Sequence, residues 1–250
     1  MTAPGSEIET TEDAWLGGRL RLLQPARSYR VAIDAALLAA AVPLAPGGRA
    51  LELGTGVGAA ALALALRAPE GAVDALELQP ALAALARRNV AANGLQDRVR
   101  IVEGDVAGAA VPAGAYDEVF LNPPYLDPDA NDASADPIKR TATVEGPARL
   151  QDWANAAARA ARPGGGVTLI HRADRLADIL AALATARIGG VIVYPLWPRP
   201  GTAARRVILR GRAGKGGRLT LAAGLVLHDA EGGYTTAAAA ILAGEAGLPL

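Results

Sequence analysis

The sequence contains no cysteine, and this absence excludes several kinds of chemistry. A disulfide-stabilised fold, a zinc site with thiolate ligands and a cysteine nucleophile all require that residue. The two histidines, His171 and His228, are too few and too far apart in the chain to indicate a metal site. We therefore expect a protein that works without a resident metal ion.

The sequence also lacks a net charge and a long apolar segment. It holds 25 lysines and arginines and 25 aspartates and glutamates, so no global field indicates a nucleic-acid partner. No apolar run reaches about 18 residues without a charge or a breaker, which argues against a membrane span. The first residues are polar and acidic, unlike a signal peptide. We expect a soluble cytoplasmic protein.

Strand-like and helix-like segments alternate along the chain, which predicts an α/β fold with a doubly wound, mostly parallel sheet. The predicted core strands are 49–53, 72–78, 98–102, 116–122, 166–171, 191–196 and 206–210. A further strand is possible over 219–228. The last two core strands are joined by only about ten residues, which is short for a helical crossover. We therefore expect the last core strand to be antiparallel.

We expect a single domain over 15–250, preceded by a flexible acidic tail over 1–14. The domain is divided into an N-terminal hairpin and helix (15–48), a core (49–212) and a C-terminal extension (213–250). Gly17 and Gly18 supply the turn of the predicted hairpin. Asp34 is predicted to cap a helix over 35–42, because its carboxylate can accept a terminal N–H.

A glycine-rich segment follows the first core strand, with Gly54, Gly56 and Gly58 spaced two apart. Glycine permits a tight turn and lets the backbone approach a ligand closely. Glu77 follows at the end of the next strand, at the distance expected of an acid that binds ribose hydroxyls. Taken alone, the segment fits a dinucleotide site, an S-adenosylmethionine site or a tight turn between strand and helix.

A second motif, Leu121-Asn122-Pro123-Pro124-Tyr125, follows the strand predicted over 116–122. Two prolines cannot continue a sheet because neither has an N–H to donate, so the strand must end there. Ligands of open α/β sheets bind at this end of the strands. The asparagine oxygen and a proline carbonyl can accept hydrogen bonds from an amine, and the tyrosine ring can stack on a base. We predict that Asn122, Pro123, Pro124 and Tyr125 are catalytic.

Three features favour S-adenosylmethionine over NAD. Glu52 lies two residues before the first glycine, where its carboxylate can face the cationic amino-acid part of the cofactor. Asp105 ends the third strand after Gly104, where it can accept a hydrogen bond from an adenine amino group. An NAD enzyme would have no evident use for the motif that follows the fourth strand.

Together these motifs resemble those of class I S-adenosylmethionine-dependent amino-N methyltransferases, which carry Asn/Asp-Pro-Pro-Tyr/Phe. The resemblance covers about 24–212 of the chain. Within that group the sequence is similar to the bacterial tRNA1(Val) adenine-N6 methyltransferases. The residues that carry this closer similarity are the segment Arg30–Ala35, the motif at 122–125 and a compact tail after Arg212.

The resemblance implies a Rossmann-like sheet of seven strands, S-adenosylmethionine as cofactor, and the adenine beside a tRNA anticodon as substrate. It also implies that the segment from Arg30 to Asp34 helps to close the cofactor site. The expected cofactor-binding residues are Arg30, Asp34, Glu52, Gly54, Thr55, Gly56, Gly58, Glu77, Leu78, Gly104, Asp105, Val106 and Asn122.

Other methyltransferases share parts of this pattern. Release-factor glutamine methyltransferases share Asn-Pro-Pro-Tyr but usually carry a helical domain before the fold, whereas only residues 1–48 precede the first core strand here. DNA adenine methyltransferases usually have a target-recognition domain, and guanine-N2 RNA enzymes often have a second domain. A methyltransferase fold that binds but no longer catalyses is the alternative from another class.

Two stretches without acidic residues carry several arginines, one over 19–30 and one over 199–218. The predicted RNA-binding residues are Arg19, Arg21, Lys139, Arg140, Arg205, Arg206, Arg212, Lys215 and Arg218. Each stretch alone is equally consistent with a solvated edge. Trp153 is interpreted as a packing residue. The expected partner is tRNA, and the sequence leaves open whether the protein is a monomer or a homodimer.

Overall fold

The computed structural model describes residues 9–27, 30–108, 110–124 and 148–250. Tyr125, Lys139 and Arg140 lie outside the described residues, and so do residues 1–8 of the predicted tail. The predictions made for those positions therefore stay predictions.

Helices and strands alternate through most of the described residues. The strands are β1 (Thr10–Trp15), β2 (Leu20–Pro25), β3 (Arg49–Leu53), β4 (Ala72–Glu77), β5 (Val99–Glu103), β6 (Tyr116–Leu121), β7 (Ala161–Arg172), β8 (Ile188–Trp197), β9 (Arg206–Ala213), β10 (Thr220–Leu221) and β11 (Leu225–Val226). The helices are α1 (Ile33–Ala40), α2 (Ala59–Arg67), α3 (Pro80–Ala92), α4 (Leu150–Ala160), α5 (Leu176–Thr185) and α6 (Thr236–Leu242), with a 3₁₀ turn at Ala173–Arg175. None of the helices in the described ranges has the length and apolarity that a membrane span requires.

The central sheet has the strand order β10-β8-β9-β7-β6-β3-β4-β5, with β11 paired to β8. Strands β3, β4, β5, β6 and β7 are all parallel to one another. Strand β9 lies between β7 and β8 and is antiparallel to both. The predicted doubly wound sheet with an antiparallel last core strand is therefore confirmed, but β10 and β11 extend it in the described residues to nine strands instead of the expected seven. The segment 219–228 forms two short strands rather than one, because Gly224 lies between them with a φ of 83°.

Successive side chains of each strand point to opposite faces of the sheet, so both faces carry apolar side chains. Helices cover both of these faces. Ala50 belongs to the core that β3 shares with α1 and α2, whereas Leu51 and Leu53 belong to the core on the face of α4 and α5. Both cores are built mainly from alanine, leucine and valine, and their most central side chains are fully buried. This packing fixes the positions of the strands relative to one another, and the candidate site lies at the ends of these strands.

The N-terminal hairpin is longer than the sequence predicted. Strand β1 starts at Thr10 and pairs antiparallel with β2 from Thr10↔Pro25 to Trp15↔Leu20, so 10–14 are not part of a tail. The acidic composition misled the prediction because the acids of this strand are paired across the hairpin. Glu12 pairs with Arg21 at 3.6 Å, and Asp13 pairs with Arg30 at 2.6 Å and accepts a hydrogen bond from Gln24.

The predicted helix cap at Asp34 is wrong. Helix α1 begins one residue earlier, at Ile33, and its N-cap is Ala32, which makes no side-chain cap. The Asp34 carboxylate instead accepts a hydrogen bond from Nε of Arg206 on β9 at 3.0 Å. A long-range ion pair, which local sequence does not reveal, takes the place of the local cap.

A buried ion pair holds the antiparallel strand β9 in place. Arg210 donates from both terminal nitrogens to the two oxygens of Glu118 on β6, at 2.7 and 2.8 Å. It also donates to Oγ1 of Thr168 on β7 at 2.9 Å. Because both charged side chains are buried, each depends on the other to offset the cost of leaving water.

Removing one member of this pair is expected to destabilise the fold strongly. Glu118→Ala leaves the Arg210 cation buried and should lower the free energy of unfolding by about 3–5 kcal/mol in urea titrations. The double variant Glu118→Leu with Arg210→Met removes both charges and should lose much less. Equal losses in the two proteins, or no loss in the single variant, would contradict this assignment.

Candidate active site

The ends of three parallel strands bring the two predicted motifs to one level of the sheet. Leu53 of β3 pairs with Leu76 of β4 on one side and with Leu121 of β6 on the other. The next residues along each strand are Gly54, Glu77 and Asn122. The glycine segment, the predicted ribose-binding acid and the predicted catalytic amide are therefore neighbours.

The glycine segment forms a tight loop that only glycine can build without strain. Gly54, Gly56 and Gly58 have φ values of 73°, 60° and 89°, in the left-handed region. The N–H groups of Gly54 and Thr55 both donate to the carbonyl of Leu76 at 2.9 Å, which ties the loop to the end of β4. A Cβ built on Gly56 meets no atom within 4 Å, so the loop borders open space.

Glu77 is buried and is held by the backbone around it. One carboxylate oxygen accepts the N–H of Gly56 at 2.8 Å, and the other accepts the N–H of Gln79 at 2.9 Å. Burial raises the pKa of Glu77, whereas the backbone hydrogen bonds lower it. Each carboxylate oxygen has a further lone pair, so the group can still accept bonds from ligand hydroxyls.

Glu52 is a buried acid at the other side of the loop. Its carboxylate accepts a hydrogen bond from the hydroxyl of Thr55 at 2.6 Å. Burial raises the pKa of Glu52 to about 8, while the bonds from Thr55 and the backbone of Ala61 lower it. A cationic ligand group beside Glu52 would stabilise the carboxylate form.

Most of the predicted cofactor-binding and catalytic residues line one cavity above these strand ends. Those in the lining are Glu52, Gly54, Thr55, Gly56, Glu77, Leu78, Gly104, Asp105, Val106, Asn122, Pro123 and Pro124. Asn122 is partly exposed at this cavity. Three acids, Glu52, Glu77 and Asp105, with apolar walls between them suit a ligand with a cationic group, hydroxyls and a flat apolar ring.

Three of the predicted cofactor-binding residues lie elsewhere. Arg30 donates to Asp13 and to Thr11 on the hairpin. Asp34 pairs with Arg206, as described above, and Gly58 caps α2 and faces Ala86. Their placement lends no support to the cofactor contacts predicted for them. The segment after Arg30 contributes Val31 and Ala35 to the lining instead.

Trp153 packs against the apolar core, as predicted, and it also lines the cavity, which the sequence did not indicate. Its ring lies 2.7 Å from the position that a Cβ on Gly54 would take. Gly54 must therefore be glycine for space as well as for its φ. No local signal marked Trp153, because it belongs to α4 and reaches the glycine loop only through the tertiary fold.

The described residues hold no cluster of three or more histidine, aspartate or glutamate side chains arranged to bind a metal ion.

Those predicted RNA-binding residues that the structure describes do not form one surface. Because β9 is antiparallel, its first residue Arg206 pairs with Arg172 at the edge where the cavity lies. Arg212 pairs with Gly166 and donates to the carbonyl of Gly164 at the opposite edge. Arg205 precedes β9 at the cavity edge, and Lys215 and Arg218 follow it at the opposite one.

Arg19 and Arg21 also lie away from the cavity edge. Arg21 donates to the carbonyl of Ala92 at the C-terminal end of α3, the helix that begins beside Glu77 and runs away from it. Arg19 lies in the hairpin turn and donates to the carbonyl of Gly244.

Comparison with protein families and curated proteins gives two kinds of match. The model of the methyltransferase small domain family matches residues 28–144. A tRNA1(Val) (adenine(37)-N6)-methyltransferase of Aeromonas hydrophila is 32% identical over 209 residues, covering 83% of this chain and 86% of that protein. A ribosomal protein uL3 glutamine methyltransferase of Bordetella pertussis is 44% identical over only 78 residues, covering 31% of this chain and 26% of that protein.

The fold has a counterpart among solved structures. A predicted O-methyltransferase of Agrobacterium tumefaciens superimposes with a TM-score of 0.73 at 28% identity, covering 86% of this chain and 98% of that one. This similarity extends over nearly the whole chain, including the Rossmann-like sheet.

The buried acid Glu52 predicts a pH-dependent stability. Its pKa is 4.5 in ordinary surroundings and about 8 in the fold, so between these values the unfolded chain is ionised and the folded chain keeps its proton. The carboxyl therefore lowers stability as the pH rises through this window. Glu52→Gln, which cannot ionise, should have a Tm that exceeds the wild-type Tm by a margin growing from about pH 5 to about pH 8.

The exposed acid Glu103 provides the control for this experiment. Glu103→Gln should show no such growing margin when both variants are heated at a series of pH values. A margin for Glu52→Gln that is flat or shrinks with pH would contradict the pKa assigned to Glu52.

Proposed function

We propose a function from one premise: the chain belongs to the family of tRNA1(Val) (adenine(37)-N6)-methyltransferases. It is an S-adenosylmethionine-dependent methyltransferase. We propose that it methylates the exocyclic N6 amine of an adenine in the anticodon loop of a tRNA. The observation that supports this proposal is the shared level of Gly54, Glu77 and Asn122, which brings the glycine segment, an acid and a side-chain amide to one cavity.

The cavity offers a suitable partner for each part of S-adenosylmethionine. We assign the ammonium to Glu52, the ribose hydroxyls to Glu77 and the adenine amino group to Asp105. The side chains of Leu78 and Val106 would contact the faces of the adenine ring. When bound, the cofactor supplies an electrophilic methyl group on a sulfonium, so the protein has mainly to position the two reactants.

The exocyclic amine of adenine is a poor nucleophile because its lone pair is delocalised into the ring. The side-chain oxygen of Asn122 and the carbonyl of Pro123 would accept its two N–H bonds. Holding both hydrogens favours a pyramidal nitrogen with its lone pair directed at the methyl group. The proton released after transfer passes to solvent. Tyr125 is proposed to stack on the base once it has left its neighbours.

A glutamine methyltransferase is the second candidate function, because a side-chain amide is also a planar amine. The match to the Bordetella protein supports it at higher identity, but only over 31% of this chain. The match to the tRNA enzyme extends over 83% of the chain and therefore favours tRNA. A silent binding module is less well supported, because Asn122 is still placed at the cavity. We propose that the protein acts in the cytoplasm, because its proposed substrate is a tRNA.

Asn122→Ala should abolish methyl transfer to tRNA and leave the affinity for S-adenosylhomocysteine nearly unchanged. The reason is that the side chain contacts the amine in this proposal and not the parts of the cofactor that determine its affinity. Transfer is measured with labelled cofactor, and affinity by calorimetry.

The exposed Asn155 on α4 provides the matched control. Asn155→Ala should behave as wild type in both assays. If Asn122→Ala turns over at near the wild-type rate, the catalytic assignment fails.

Because the basic residues lie at two opposite edges of the sheet, we expect them to contact different parts of the RNA. Arg205 is exposed at the cavity edge, about 20 Å from Arg212 along β9. Arg205→Ala should therefore weaken binding of a tRNA and of its isolated anticodon stem-loop alike, by a few-fold at low salt. The triple variant Arg212→Ala, Lys215→Ala and Arg218→Ala should weaken only the full-length tRNA and flatten its salt dependence.

Filter binding over a range of salt concentrations measures both effects. A triple variant that weakens stem-loop binding more than Arg205→Ala does would place the RNA at the opposite edge and contradict this orientation.

A further inference from the structure

Asn89 is a polar residue in the middle of α3 with no exposed surface. A buried amide is costly unless all of its polar groups are hydrogen-bonded. It does not line the cavity, and none of the motifs considered so far includes it.

The amide of Asn89 is fully bonded, and its partners lie on two separate segments. Its oxygen accepts the N–H of Leu23 on β2 at 2.7 Å. Its nitrogen donates to the carbonyl of Leu23 and to the carbonyl of Val57, both at 2.9 Å. One side chain thus links the N-terminal hairpin to the loop between Gly56 and Gly58.

Asn93, the C-cap residue of α3 and one turn beyond Asn89, repeats the two bonds to β2. Its oxygen accepts the N–H of Arg21 at 3.0 Å, and its nitrogen donates to the carbonyl of Arg21 at 2.8 Å. Four residues of a helix rise about 6 Å, close to the span of about 6.8 Å for two residues of a strand. The two amides therefore bond alternate residues along the open edge of β2, as a neighbouring strand would.

Only Asn89 also reaches the glycine loop. The carbonyl that it binds belongs to Val57, which lines the cavity. The same region is packed by an apolar cluster in which Leu23 and Val31 contact Val57, Leu82 and Leu85. The hairpin, α3 and the glycine loop therefore meet at one buried amide and one small apolar cluster.

We propose that Asn89 is a positioning residue of the cofactor site. By fixing the Val57 carbonyl, it holds the peptide between Val57 and Gly58 and so restrains the loop from which the Gly56 N–H donates to Glu77. It also couples the stability of the hairpin to the binding of the cofactor at the glycine loop. The identity of the cofactor rests on the function proposed above, whereas the identity of the methyl acceptor does not enter.

The test compares the same substitution at two positions, Asn89→Leu within α3 and Asn93→Leu at its C-cap. Both remove two bonds to β2, so both should loosen the hairpin and lower the Tm. Only Asn89→Leu also releases Val57, so it should bind S-adenosylhomocysteine about tenfold more weakly, with Asn93→Leu near the wild-type affinity. Calorimetry without tRNA measures the affinities. Equal affinities in the two variants would overturn the proposal.

A second measurement uses the wild-type protein, in case Asn89→Leu does not fold. Saturation with S-adenosylhomocysteine should slow amide hydrogen exchange in β2 around Leu23, although this strand does not line the cavity. Unchanged exchange there would contradict the coupling. A wild-type protein that fails to bind S-adenosylhomocysteine would instead overturn the proposed function, so the two failures are distinguishable.

Discussion

The site depends on the parallel register of three neighbouring strands. Because Leu53 is level with both Leu76 and Leu121, the residues that follow them come to one edge of the sheet at the same height. A shift of one residue in either pairing would turn the neighbouring side chain to the opposite face. The two apolar cores that cover the faces of the sheet fix this register, so packing far from the cavity determines its geometry.

The cavity contains two buried carboxyl groups, Glu52 and Glu77, whose ionised forms are disfavoured in the empty protein. Burial raises the pKa of Glu52 and of Glu77, and the few hydrogen bonds that each accepts offset only part of this cost. Such groups lower the stability of the empty protein and become useful when a cationic or hydroxyl-bearing ligand arrives. The hairpin adds a support from outside, since Asn89 ties its second strand to the glycine loop.

The glycine loop and Asn122 were predictable because glycine and proline mark strand ends through backbone chemistry alone. The sequence could not place Trp153 or the partner of Asp34, because both depend on contacts between residues far apart in the chain. It also grouped Arg205 with Arg212, since neighbours in sequence look like neighbours in space. The direction of β9 separates them, and that direction becomes visible only in the sheet.

The central claim is that the cavity delivers a methyl group to the N6 amine of a tRNA adenine. The most direct measurement incubates the protein with labelled S-adenosylmethionine and total tRNA from a strain that lacks this protein, then digests the tRNA and identifies the labelled nucleoside. The account predicts N6-methyladenosine from the anticodon loop. Label in N2-methylguanosine, or in protein glutamine with the tRNA unlabelled, would contradict it.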